Sequence, residues 1–189
     1  MPPHSAVFDF SEAAPLIPSN QGAASELNWK YSGKAEPYHT VGRQSRGSLD
    51  LVLTLTIDQA DEILRHARES DPAECCGLVG GSNNRKARSI YPLQNRAANP
   101  LVTYEAAPEE LFAAQRLMRD RDEALLAIYH SHPRSIEPLP SDTDVRLAYY
   151  PETIYLIVGL AGDEPVLRAF QISEKEHSWN EVEYEITDE

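Results

Sequence analysis

From Leu51 onward the chain divides into short apolar runs with two different periods, and each change of period marks an element. In "LVLTLTI" (51–57) β-branched residues alternate with Leu, the pattern of a half-buried strand. Thr56 followed three residues later by Gln59 is a capping box, and it opens a predicted helix over "IDQADEILRHARES" that stops at Asp71-Pro72. "CCGLVGG" (75–81) reads as a short buried strand, with Gly80-Gly81 and "SNN" turning the chain. "KARSIYPLQN" (86–95) and "LVTYEA" (101–106) have strand composition. Pro108 suits the first turn of a helix, and "EELFAAQRLMRDRD" places Leu111, Phe112, Gln115, Leu117 and Met118 at helical intervals. "ALLAIYHSH" (124–132) is a strongly apolar strand, "SDTDVRLAYY" (141–150) a short helix and "TIYLIVGLA" (153–161) a strand. "PVLRAFQIS" (165–173) and "SWNEVEYEIT" (178–187) form a predicted antiparallel pair. The order β-α-β-β-β-α-β-α-β-β-β predicts an α/β fold, a mixed sheet flanked by helices.

Residues 1–49 have a different texture. They are rich in Pro, Ser, Gly and Ala, show neither period, and bury too little apolar surface to offset their ordering entropy. The expected organisation is an irregular N-terminal extension over 1–49 and one folded domain over 50–189. The apolar groups Val7-Phe8, Leu16-Ile17 and Trp29-Tyr31 leave open that the extension docks on the domain.

Charge and cysteine usage narrow the partners. With Lys+Arg 17 against Asp+Glu 30 the net charge is -13, which repels a nucleic-acid backbone or an anionic membrane surface. The two cysteines, Cys75 and Cys76, are adjacent, and bridging them would strain the backbone, so the reading is a reduced, intracellular protein. Neither a basic-then-apolar leader nor an apolar run of the roughly 20 residues needed for a membrane span is seen, and the expected location is the cytoplasm.

The chemistry gathers in "AIYHSHPRSIEPLPSDTDV". On a strand, residues i and i+2 point to one face, so His130 and His132 project side by side. Pro133 ends the strand, and "RSIEPLP" leads to Ser141 and Asp144. If Ser141 caps the next helix, Asp144 lies in its first turn, where the helix dipole favours a carboxylate. Two imidazoles and one carboxylate suit a single tetrahedral Zn2+ whose fourth position admits water. A water so placed needs a general base, and Glu74, at the entry of the "CCGLVGG" strand, is the candidate.

"PAECCGLVGG", then "IYHSHP", then "PSDTD" resembles the JAMM (MPN-plus) metalloprotease family: a Glu before a strand, His-x-His-Pro, and Ser-x-x-Asp, in that order over roughly residues 51–189. The resemblance implies the cytidine-deaminase-like MPN/JAMM fold with a mostly antiparallel sheet. It implies that His130, His132 and Asp144 bind zinc, that Glu74 is general acid and base, and that Ser141 helps stabilise the oxyanion. One departure stands out. Seven residues, Arg134 to Pro140, separate Pro133 from Ser141, one more than the family's usual spacing. Asp142 is therefore a rival third ligand, but it lacks a Ser three positions ahead, and first-turn geometry favours Asp144. The chain looks like the compact stand-alone prokaryotic branch. That implies hydrolysis of the amide or isopeptide bond after the C-terminal Gly-Gly of a ubiquitin-like or sulfur-carrier protein. The tail is expected to pair with a strand edge near "LVTYEA". Oligomeric state is left open, a homodimer included.

Other readings compete with this one. Ser141 and Asp144 fit a plain capping box, and both roles can hold together. Cys75 and Cys76 read as packing residues rather than as the nucleophile of a Cys-His hydrolase. A zinc deaminase would need a Cys-x-x-Cys pair that the sequence lacks. A non-catalytic MPN-type interaction module is the main functional alternative. His4, His39, His66 and His177 read as surface residues.

Overall fold

The computed structural model describes residues 52–188. The expected extension over 1–49, with His4 and His39, lies outside the described residues. Among these residues run eight strands and three helices: β1 (Leu53–Thr56), α1 (Ile57–Ser70), β2 (Cys76–Gly81), β3 (Ala87–Leu93), α2 (Pro108–Asp120), β4 (Ala124–His132), α3 (Asp142–Arg146), β5 (Ile154–Gly159), β6 (Val166–Ser173), β7 (Ser178–Glu181) and β8 (Tyr184–Thr187). Six strands form one sheet in the order β3-β2-β4-β5-β6-β7, and β1 pairs with β8 in a second, two-stranded sheet. In the large sheet every neighbouring pair is antiparallel except β4 and β5. A parallel pair requires a long crossover, and here it is residues 133–153, which carry α3 over one face of the sheet.

The strand period sorts the core into two sides. Ala127, Tyr129, Leu156 and Val158 face α1, whose Ile63 and Ala67 are fully buried against them. The alternate residues face α2 and α3: Cys76 and Leu78 pack with Ala114 and Met118, while Tyr155 and Ile157 pack with Val145 and Ala148. Central strands buried on both faces explain the near-continuous apolar runs of β4 and β5. Gly77 on β2 is required by a close approach, since a Cβ there would fall on the Tyr129 ring. The Thr56–Gln59 capping box forms as expected: Thr56 Oγ1 accepts the Gln59 N–H at 3.2 Å and Gln59 Oε1 accepts the Thr56 N–H at 2.9 Å. No helix among the described residues is long and apolar enough to cross a membrane.

Four expectations need correction. "LVTYEA" is not a strand; beyond an isolated Asn95–Ala106 bridge it is turn and loop. Its backbone bonds go to turns and to a side chain instead: Val102 donates to Asn99 O, and Glu105 donates to Asn95 Oδ1. The strand edge expected there for a Gly-Gly tail is therefore absent. "SWNEVEYEIT" is two strands. β7 follows β6, then the chain leaves at Val182 and β8 runs parallel to β1, with Tyr184 and Ile186 opposite the buried Leu53 and Leu55. On α2 the buried residues are Ala113, Ala114 and Met118, with Leu111 partly buried; Phe112 and Leu117 are exposed. His66 is not a surface residue, because its Nδ1 lies 2.8 Å from the buried Tyr129 hydroxyl. Burial lowers its pKa, against the raising effect of Glu69.

Candidate metal centre and active site

The end of β4 brings the imidazoles together. His130 is fully buried, His132 is partly exposed, and their Nε2 atoms lie 3.1 Å apart. Their third neighbour comes from the crossover. Ser141 caps α3: its Oγ accepts the Asp144 N–H at 3.2 Å, and its own N–H donates to Asp144 Oδ2 at 2.7 Å. The Ser141 hydroxyl donates to the same Oδ2 at 2.7 Å. This leaves Asp144 Oδ1 facing His130 Nε2 at 3.3 Å, while Oδ2 lies 3.3 Å from His132 Nε2. Asp142 is exposed and Asp144 is buried.

The longer loop reaches this geometry through one notch in β5. Pro138 is fully buried, and a Cβ on Gly159 would stand 2.8 Å from its Cδ and 2.6 Å from Ser135 O. Ser135 is held by backbone bonds on both sides, donating to His132 O at 2.9 Å and accepting from Ala161 N at 3.1 Å. The segment between Pro133 and Ser141 is thus pinned against backbone.

Glu74 arrives from β2. The β2–β4 register pairs Cys76 with His130, and Ser131 N donates to Cys75 O at 3.3 Å. Continuing that register sets Glu74 across from His132, and opposed residues of an antiparallel pair share a face. Ser131, itself buried, locks the junction by accepting the Cys75 N–H at 2.8 Å. Glu74 is buried, at 6% exposed.

The electrostatics follow from these neighbours. Burial pushes the Glu74 carboxyl up to about 7; His132 opposes this and Asp144 reinforces it. Burial alone would raise Asp144 as well, but its hydrogen bonds and charge contacts with His130, then His132 and Ser141, hold it well below the usual carboxylate range. Burial lowers the pKa of His130 and so favours the neutral imidazole, while the Asp144 hydrogen bond and charge oppose it. Burial pushes both the Cys75 and Cys76 thiols up to about 12, so neither supplies a thiolate and the Cys-His alternative falls.

Among the described residues, His130, His132 and Asp144 form a group with ligand atoms all within 4.8 Å of one another. His130 Nε2 and His132 Nε2 lie 3.1 Å apart, and Asp144 approaches each imidazole to 3.3 Å, His130 through Oδ1 and His132 through Oδ2. These spacings are near the ligand–ligand distance of about 3.3–3.4 Å around an ion with bonds of about 2.0–2.1 Å. Two imidazole nitrogens and a carboxylate converge here, the nitrogen and oxygen donor set that a divalent ion such as zinc takes. The residues fit a divalent metal.

Two neighbours escaped the sequence reading. Tyr104 stacks on His130 with ring centroids 4.5 Å apart and planes at 26°. Its hydroxyl is raised well above 10, first by burial and then by Asp144. Asn95 bonds to the Glu74 carbonyl at 2.9 Å. The signal for Asn95 was a short amide side chain just past a strand, where it competes with the backbone ladder.

Comparison with known proteins agrees with this geometry. The family model described as prokaryotic homologs of the JAB domain matches residues 57–173, a span that includes Glu74, His130, His132, Ser141 and Asp144. The chain is 42% identical over 110 residues to a desampylase of Haloferax volcanii, covering 56% of this chain and 78% of that protein. It is 37% identical over 109 residues to the CysO-cysteine peptidase of Mycobacterium tuberculosis, covering 57% and 73%. The solution structure of a Desulfitobacterium hafniense protein superposes with a TM-score of 0.65 at 37% identity, over 73% of this chain and 94% of that one. With a family match over most of the described residues and a metal-fitting group inside it, the chain belongs to the prokaryotic homologues of the JAB domain, within the JAMM/MPN metallopeptidase family.

Proposed function

We propose that the chain is a zinc-dependent isopeptidase that hydrolyses the amide or isopeptide bond after the C-terminal Gly-Gly of a ubiquitin-like or sulfur-carrier protein. His130, His132 and Asp144 hold the zinc. Glu74 is general base and acid, and Ser141 steadies the oxyanion. Residues 50–189 form the catalytic domain and 1–49 an appended segment; the first strand begins at Leu53 and the family match at residue 57. The relatives named desampylase and CysO-cysteine peptidase support the substrate class.

The observation that carries the reading is the convergence of His130, His132 and Asp144, with ligand atoms all within 4.8 Å of one another, beside the buried Glu74, which continues the β2–β4 register to a position across from His132. When bound, zinc polarises the scissile carbonyl and acidifies water. The protein residues do the rest. Glu74, pushed up to about 7 by burial, is poised to take a proton from the attacking water and pass it to the leaving amine. Asp144 stays ionised because Ser141 and the imidazoles satisfy it, so it anchors charge without exchanging protons near neutrality. The Ser141 hydroxyl, donated to Asp144 Oδ2 in the free site, turns to the carbonyl oxygen as negative charge develops there. The intact group speaks against a non-catalytic interaction module.

Incubating the full chain with Gly-Gly-tailed carrier conjugates, with and without a chelator, tests the reading by product mass. The expected result is a carrier ending in Gly-Gly plus a released amine, lost with chelator and restored by zinc. Uncleaved conjugates with a zinc-loaded chain would refute it.

A further inference from the structure

One side chain outside this group is bonded both to Glu74 and to the loop that carries Tyr104. Continuing the β2–β3 register beyond Cys76–Leu93 sets Asn95 opposite Glu74. Its amide uses every hydrogen-bonding position it has. Nδ2 donates to Glu74 O at 2.9 Å and to Thr103 O at 3.1 Å, while Oδ1 accepts the N–H of Ala97 at 2.9 Å and of Glu105 at 3.1 Å. Glu74 is tied to the same loop a second time, donating its N–H to Pro100 O at 2.7 Å. The bonds to Thr103 and Glu105 bracket Tyr104, whose ring lies on His130.

We propose, building on the isopeptidase reading, that Asn95 is a positioning residue for the hydrolysis: its amide fastens the Glu74 backbone to the loop that seats Tyr104 on His130, so carboxylate and imidazole keep one mutual geometry. The residue type follows from the count of bonds. Asp at 95 has no donor for the two carbonyls, Ser has one donor and a shorter reach, and Gln carries its amide one methylene too far. Glu74 stands just before β2 begins, where the ladder gives least support, so its direction depends on the two bonds to this loop. A small misplacement of a reacting group costs rate out of proportion to its cost in stability.

The test uses the full, zinc-loaded chain with Asn95→Ala and Asn95→Asp. Asn95→Asp keeps the acceptor for Ala97 and Glu105 and loses both donors, which removes the links to Glu74 O and Thr103 O and leaves the two bonds to Oδ1. Both variants are expected to keep wild-type zinc stoichiometry and KM while kcat falls about 10- to 100-fold. In Asn95→Ala the amides of Glu74, Ala97 and Glu105 are expected to exchange faster together. A lowered Tm with kcat within about threefold of wild type assigns Asn95 a structural role only and overturns the proposal. Loss of zinc alongside kcat overturns it too, since the whole site would then have gone. If the wild type binds zinc but cleaves no conjugate, the isopeptidase reading fails instead. The exchange data then decide the linkage, and independent exchange of the three amides refutes it.

Discussion

Glu74, just before β2, and Asp144, in the first turn of α3, are both buried carboxylates that feel the charge of His132, and the fold drives them in opposite directions. Asp144 receives two hydrogen bonds from Ser141 and lies 3.3 Å from both imidazoles, so its charge is compensated and its pKa falls. Glu74 is buried with its main compensation at His132, and its pKa climbs to about 7. The difference teaches that burial alone does not set the role of a carboxylate here. The partners do: the satisfied one is suited to hold a cation, and the unsatisfied one to carry a proton.

Removing the satisfied carboxylate should have the largest effect. Asp144→Asn is expected to weaken zinc binding by more than about 100-fold and to reduce hydrolysis to background, read by metal content and product mass. Asp142→Asn, at an exposed position, should change neither; a reversal of the two results would make Asp142 the ligand. Glu74→Gln comes next. It should keep zinc and lose about 10²–10⁴ in kcat, because only the proton carrier is gone. Ser141→Ala is intermediate in kind, since it touches both carboxylate and oxyanion. It should cost about 1 kcal/mol of stability from the lost cap and up to about 10² in kcat, checked by denaturant unfolding and steady-state kinetics.

The smallest effect is on stability and sharpens the comparison most. Burial raises the Glu74 carboxyl from 4.5 to about 7, so the folded, metal-free chain binds that proton more tightly than the unfolded chain. The resulting stability is fully present below pH 4.5 and is lost as pH rises through about 7. With chelator present, the wild-type Tm should therefore fall relative to Glu74→Gln between pH 5 and pH 8. Parallel Tm curves would mean that Glu74 is not buried as charge in the free protein.

Much of this geometry was legible because it is local. The strand period sets His130 beside His132, and the Ser141 capping box sets Asp144 in a first turn; each needs only the residues within a few positions. Glu74 was legible as a residue type, but its position across from His132 depends on the β2–β4 register, which no local pattern states. The "LVTYEA" stretch has the composition of a strand, yet Asn95 captures its backbone groups first, so a single tertiary contact overrides propensity. That misreading also hid Tyr104. His66 was misread for the same reason, because its partner Tyr129 is 63 positions away. The division of "SWNEVEYEIT" reflects where Leu53 and Leu55 need cover, information held at the other end of the described chain.

The notch at Gly159 has a consequence for how the protein acquires its ion. The strut that delivers the third arm rests on main-chain atoms of Ser135 and on a proline ring, not on rotatable side chains. Its seat inherits the stiffness of the central sheet, so little ordering entropy is left to lose when a cation enters. Uptake of a cation is then expected to need no rearrangement of the crossover, and a single methyl at position 159, which would meet Ser135 O and Pro138, is expected to weaken it by tilting the strut from its base.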